Sequence, residues 1–133
     1  MDQAVANLVR DRAGERCEYC RLHQGDAPFF RFHIEHVIPK QHGGGDDAMN
    51  LALACQHCNL HKGTNLAGID PENGQIVPLF NPRSDQWDAH FERRGIRVAG
   101  LTPAGRATVE VLQMNAAPRL ELRAELLSGG RLE

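Results

Sequence analysis

Two cysteine pairs, Cys17-x-x-Cys20 and Cys55-x-x-Cys58, frame a stretch crowded with His33, Glu35, His36, Asn50, Asn59, His61 and Lys62. A CxxC turn aims two sulfurs at one ion, and two such turns supply the four thiolates of a closed structural Zn2+ site. There is no fifth cysteine, and a chain kept in a reducing compartment would use these thiols for metal rather than for disulfides. The histidines, carboxylate and amides between and beyond the pairs are more chemistry than an apolar core requires. They point to a metal-dependent active centre.

The rest of the chain has to position that centre. Its 133 residues suit one domain, which we take as 1–133, with a metal-bearing core over about 16–66 and a hairpin and helical extension over about 67–133. One Trp, one Tyr and five Phe against 13 Gly and 7 Pro imply many turns and a mainly aliphatic core, which a bound metal would help to hold. The formal charge of -2 argues against binding nucleic acid by bulk electrostatics, so any such contact has to use a local patch. The N-terminus lacks the basic start and apolar run of a secretory signal, and no apolar stretch is long enough to span a membrane. We therefore expect a soluble, cytoplasmic protein with no membrane partner.

Val5, Leu8, Val9 and Arg12 recur at helical spacing over residues 3–13, with Asp2 placed to cap the helix and Gly14 to end it. Arg10, Arg12, Arg16 and Arg21 alternate with Asp11, Glu15 and Glu18, which reads as a solvated mixed face. Phe29 to His36 reads as a strand, Phe30, Phe32, Ile34 and His36 on one side and Phe29, Arg31, His33 and Glu35 on the other. Alternation thus separates Glu35 from His36. They share a site only if one meets a metal while the other meets the attacked phosphorus, or if the strand bulges.

Pro39 and Gly43-Gly44-Gly45 end the strand in a tight loop, and Asp46 or Asp47 can cap a short helix or turn reaching Leu53. Residues 56–66 follow as a short helix. Asp70 to Gly74 is a turn signal between Ala67–Ile69 and Gln75–Phe80, and Arg93-Arg94-Gly95 marks a second turn between extended segments at Trp87–Phe91 and Ile96–Leu101. Thr102-Pro103 starts a helix to about Asn115, and Pro118 starts another before Gly129-Gly130.

Glu35-His36-Val37-Ile38-Pro39, Gly43-Gly44, Asn50-Leu51 and Cys55-Gln56-His57-Cys58-Asn59 with Lys62-Gly63 together resemble the HNH endonucleases whose motif is framed by two zinc-binding CxxC pairs. The resemblance implies an α+β fold: a small ββα-metal core clamped by the four-cysteine zinc site, with an N-terminal helix and a helical C-terminal end. It further implies hydrolysis of phosphodiester bonds in DNA, with RNA the other candidate. His36 matches the general base, a role suited to an imidazole near neutral pH. Glu35, where the pattern more often has Asp, and Asn59 match ligands of a catalytic Mg2+ or Mn2+, hard ions that prefer oxygen. Asn50 matches the middle residue, which would fasten the glycine loop and so orient His36. Lys62 and His61 are candidate phosphate contacts, and His33 a candidate additional ligand.

Two other readings use the same residues. His33-Ile34-Glu35 with Cys55-x-x-Cys58 satisfies the HxE and CxxC arrangement of zinc nucleobase or nucleoside deaminases, with His33 on the zinc and Glu35 as proton shuttle. It leaves Cys17, Cys20 and Asn50 without a task. A non-catalytic zinc module that grips nucleic acid would need only the four cysteines. Oligomeric state is not legible here.

Overall fold

In the computed structural model, which describes residues 2–132, local sequence signals fix most helix starts. Helix α1 spans Gln3–Arg12, and the Asp2 side chain accepts from the Ala4 amide at 3.0 Å. Its arginines do more than face solvent. Arg10 donates to the Phe32 carbonyl and Arg12 to the Leu51 carbonyl, each at 2.8 Å, so the helix is stitched across the strands it covers. Glu18 is likewise engaged, accepting from the Leu53 amide at 2.8 Å and pairing with Arg83.

Strands β1 (His33–His36) and β2 (Leu51–Ala54) form an antiparallel pair, with His33 opposite Ala54 and His36 opposite Leu51. Helix α2 (Gln56–Lys62) follows at once, its first turn capped by the Cys55 sulfur. This ββα unit corrects two expectations. The strand does not begin at Phe29, because its partner ends where Cys55 caps α2 and leaves residues 29–32 without a ladder. The Gln24 side chain holds that segment instead, bonding Ala27, Phe30 and Phe32, while Phe29 and Phe30 lie exposed. Residues 51–53 are strand rather than helix or turn: Asp47 caps only a single turn, Ala48–Asn50, after which four consecutive buried residues pair with β1.

Strands β3 (Ala67–Ile69) and β4 (Ile76–Pro78) form the hairpin expected from the Asp70–Gly74 turn. Residues Trp87–His90 form one helical turn, α3, not an extended segment; its indole N–H donates to the Tyr19 carbonyl at 2.7 Å. Strands β5 (Phe91–Arg94) and β6 (Arg97–Gly100) pair across Gly95. Helix α4 (Pro103–Val111) starts at Thr102, whose hydroxyl accepts from Gly105, and α5 spans Ala117–Ser128. A Cβ on Gly105 would meet the His90 carbonyl oxygen at 2.1 Å, so glycine there is what lets α4 pack against the chain at His90.

One apolar cluster runs through both parts of the chain, joining Val9, Tyr19, Leu51 and Leu53 to Phe80, Phe91, Leu112 and Met114. Asp70, fully buried, anchors the first hairpin to α4 through a two-pronged pair with Arg106 at 2.9 and 2.8 Å. Among the described residues no helix is long and apolar enough to cross a membrane.

Candidate active site

The knuckle at Cys17–Cys20 and the turn from β2 into α2 meet in the interior. All four cysteine sulfurs are buried and lie within 4.8 Å of one another, with Cys20 and Cys55 at 3.7 Å. Tetrahedral Zn–S bonds of about 2.3 Å place sulfurs about 3.8 Å apart, so the pocket fits the ion. His33, exposed on β1, is outside this cluster, and Cys17 and Cys20 are inside it. That arrangement removes the deaminase reading, which needs His33 on the zinc. From α5, the Arg119 guanidinium lies 3.4 Å from the Cys20 sulfur and 3.6 Å from that of Cys55, offsetting negative charge on the thiolates.

Glu35, His36 and Asn59 line one open groove together with Lys40, Gln41 and Thr64. Glu35 and His36, neighbours on β1, both border this groove, the Glu35 carboxylate reaching inward to Tyr19 and Lys62 and the His36 ring outward to Asp46. Glu35 is 6% exposed. One carboxylate oxygen accepts from the Tyr19 hydroxyl, and the other lies 3.0 Å from Lys62 Nζ. Burial pushes the Glu35 carboxyl above its ordinary range, opposed chiefly by the Lys62 charge. Burial also raises the Tyr19 phenol, which keeps it a donor.

Lys62 is the clearest departure from expectation. It is 2% exposed, and its Nζ also donates to the Val37 and His36 carbonyls at 3.0 and 3.2 Å. It is therefore neither solvated nor presented to a phosphate on the surface; it braces β1 from below. His61 does not line the groove either. It is exposed on another face of α2 and lies against His57, ring centroids 4.3 Å apart, whose Nε2 reaches the Leu112 and Gln113 carbonyls at 2.9 Å.

His36 Nε2 lies 2.7 Å from Asp46 Oδ1, an oxygen that Lys40 also approaches at 3.1 Å. With Nε2–H donating to the carboxylate, Nδ1 carries the lone pair and can accept a proton. From sequence Asp46 is legible only as a capping candidate, because its partnership with His36 spans the loop and leaves no local signature; the approach of Lys40 to the same oxygen leaves none either.

Asn50 fastens that loop. Its side chain accepts from the Ile38 amide and donates to the Ile38 and Gly45 carbonyls, all at 2.9 Å, and its own carbonyl accepts from Val37. The loop closes so tightly on Ile38 that a Cβ on Gly44 would sit 1.7 Å from the Ile38 carbonyl oxygen. Asn59, half-buried on α2, borders the groove, and its side-chain amide has no hydrogen-bond partner among the described residues.

The donors at the groove, a carboxylate and an amide, are of the kind that hold Mg2+ or Mn2+. Each carboxylate oxygen accepts more than one contact, so the bonds from Tyr19 and Lys62 do not exhaust Glu35. The chemistry of the donor set fits such an ion, with Lys62 as a resident competing cation.

Compared with known proteins, residues 17–65 match the family described as HNH endonuclease, a span that holds all four cysteines and the groove. The Septu protein PtuB of Bacillus thuringiensis is 26% identical over 112 residues, 83% of this chain and 40% of PtuB. The chain thus spans about two-fifths of that relative's length. No solved structure matches significantly.

Proposed function

We propose, from the match of residues 17–65 to the HNH endonuclease family, that the protein is a metal-dependent endonuclease that hydrolyses phosphodiester bonds, with DNA as its substrate. The observation that carries this reading is the convergence of His36, Glu35 and Asn59 on one open groove, with His36 hydrogen-bonded to Asp46. A non-catalytic zinc module has no use for that arrangement.

In this reading His36 Nδ1 takes a proton from the attacking water while Asp46 fixes the ring and its tautomer. Asn50 holds the loop that carries Asp46, keeping the imidazole aimed into the groove. Lys40, two-thirds exposed at the groove, meets the negative charge of the phosphate. Glu35 and Asn59 would hold the divalent ion, which when bound supplies charge stabilisation to the phosphoryl oxygens. Lys62 and Tyr19 position Glu35 rather than touch substrate, and the four cysteines with Zn2+ keep β2 and α2 in place.

Incubating the purified chain with supercoiled plasmid, with and without Mg2+ or Mn2+, tests the proposal. We expect nicked or linear product only with the divalent ion, loss of product in His36→Ala, and one zinc per chain in both proteins. Retention of plasmid in a gel shift with no product under any divalent ion would instead establish the non-catalytic module.

A further inference from the structure

A second cavity, of about 380 Å3, lies away from the groove between the first cysteine knuckle, the β5–β6 hairpin and α5. That volume is in the range of small-molecule sites. Six arginines line it against two aspartates, Asp26 and Asp88. Most of this charge is committed. Arg131 pairs with Asp26, Arg119 lies on the zinc-site sulfurs, Arg21 stacks over Trp87 at 5.1 Å, and Arg16 is engaged too.

Two arginines are different. Arg123 is 7% exposed, and its only hydrogen bond among the described residues runs from Nη1 to the Ile96 carbonyl at 3.0 Å. Its Nη2 is buried and makes none. A desolvated guanidinium held only by a neutral carbonyl is costly, because nothing replaces the solvation its charge has lost. Burial, the largest influence, lowers the Arg123 guanidinium from its ordinary value; the Cys20 and Cys58 sulfurs oppose that, and the charges of Arg119 and Arg93 add to it. Arg93, half-buried on β5, has no hydrogen-bond or ion-pair partner among the described residues. Below these two the wall is apolar, formed by Leu22, Val98, Leu122 and Leu126.

We propose that this cavity binds a phosphorylated small molecule, its phosphate held by Arg93 and Arg123 and its apolar body laid against the leucines. A phosphate monoester carries nearly two negative charges near neutral pH, matching two guanidiniums that have no ion-pair partner among the described residues, and guanidinium forks suit phosphate oxygens. Asp88, exposed at the rim, does not neutralise the buried end.

The probes are inorganic phosphate and phenyl phosphate, which share the head and differ in the apolar body, titrated calorimetrically into the full zinc-loaded chain without added divalent ion. We expect saturable 1:1 binding of phenyl phosphate, about tenfold tighter than inorganic phosphate because a ring is buried. Arg93→Gln and Arg123→Met should each weaken it by about tenfold or more, the loss of a charge-assisted contact. Zinc content and cooperative unfolding establish that each variant is folded, and Arg93→Gln, with a half-exposed side chain, tests the site even if Arg123→Met does not fold. His36→Ala should bind as wild type does. The proposal is overturned if neither probe binds, if the two bind equally, if Arg93→Gln leaves affinity unchanged, or if His36→Ala abolishes binding, which would put the anion in the groove.

Discussion

Lys62 Nζ stands 3.0 Å from the Glu35 carboxylate, both side chains withdrawn almost wholly from solvent, so the last turn of α2 and the edge strand of the ββα unit are joined by a buried ion pair. Of the two, Glu35 borders the groove. Burial pushes the Glu35 carboxyl up, and the Lys62 charge pulls against it.

Removing one partner should therefore cost more than the pair contributes. Lys62→Met is expected to destabilise the protein by about 3–5 kcal/mol, the cost of stranding a buried charge, and Glu35→Gln combined with Lys62→Met to recover much of the loss. Urea unfolding of the zinc-loaded proteins measures both. The pH dependence has a definite sign. The folded-state Glu35 carboxyl titrates above its unfolded value near 4.5, so between those two points the native state binds more protons. Its contribution to stability then falls as pH rises through that window and is constant above it. Lys62→Met should widen the window upward.

Asp46 is expected to matter for turnover and not for folding. The His36 hydrogen bond holds the Asp46 carboxyl below the ordinary aspartate range, so it is an anion throughout the working pH range. Asp46→Ala should slow plasmid cleavage by about 10–100-fold with zinc content unchanged, and Asp46→Glu should restore part of the rate. Equal single-turnover rates for Asp46→Ala and wild type would show that His36 needs no such partner.

The loop that carries Asp46 closes only with glycine at position 44. In Gly44→Ala the new methyl would collide with the Ile38 carbonyl, forcing the loop open and breaking the Asn50 contacts to Ile38 and Gly45. We expect loss of cleavage with zinc retained. Asn50→Ala should act in the same direction, and the double variant should be no worse than the more severe single one, since both undo one closure.

Far from the groove, Arg106 holds the Asp70 carboxyl below the ordinary aspartate range. A depressed folded-state value means that this contribution is fully present above the unfolded pKa of about 3.9. It is lost as pH falls through the lower folded value. Asp70→Asn should lower the melting temperature at pH 7, and the gap to wild type should close as the pH drops below 4. A gap that persists at pH 2 would mean that hydrogen bonding, not charge, is what Asp70 supplies.

Cysteine spacing and helix caps were legible because they are local. Cys17-x-x-Cys20 and Cys55-x-x-Cys58 announce a four-thiolate site whatever lies between them, and Asp2 and Thr102 cap the helices they precede, since a cap depends on the next three residues alone. The Asp70–Gly74 hairpin was readable for the same reason. The start of β1 was not, because strand length is set by the partner, and the partner stops at Cys55.

By itself, then, the sequence determined the two cysteine pairs that meet in one cluster and the presence of Glu35, His36, Asn50 and Asn59 in one short stretch, while the ββα unit came only from a family resemblance. Only the tertiary structure decided that Lys62 faces inward to Glu35, that Asp46 partners His36, and that Arg93 and Arg123 line one cavity without an ion-pair partner of their own among the described residues. The physical reason is common to all three. Whether a long charged side chain is solvated, paired or stranded depends on which elements cross above it, and that is settled by long-range packing after every local signal has been satisfied.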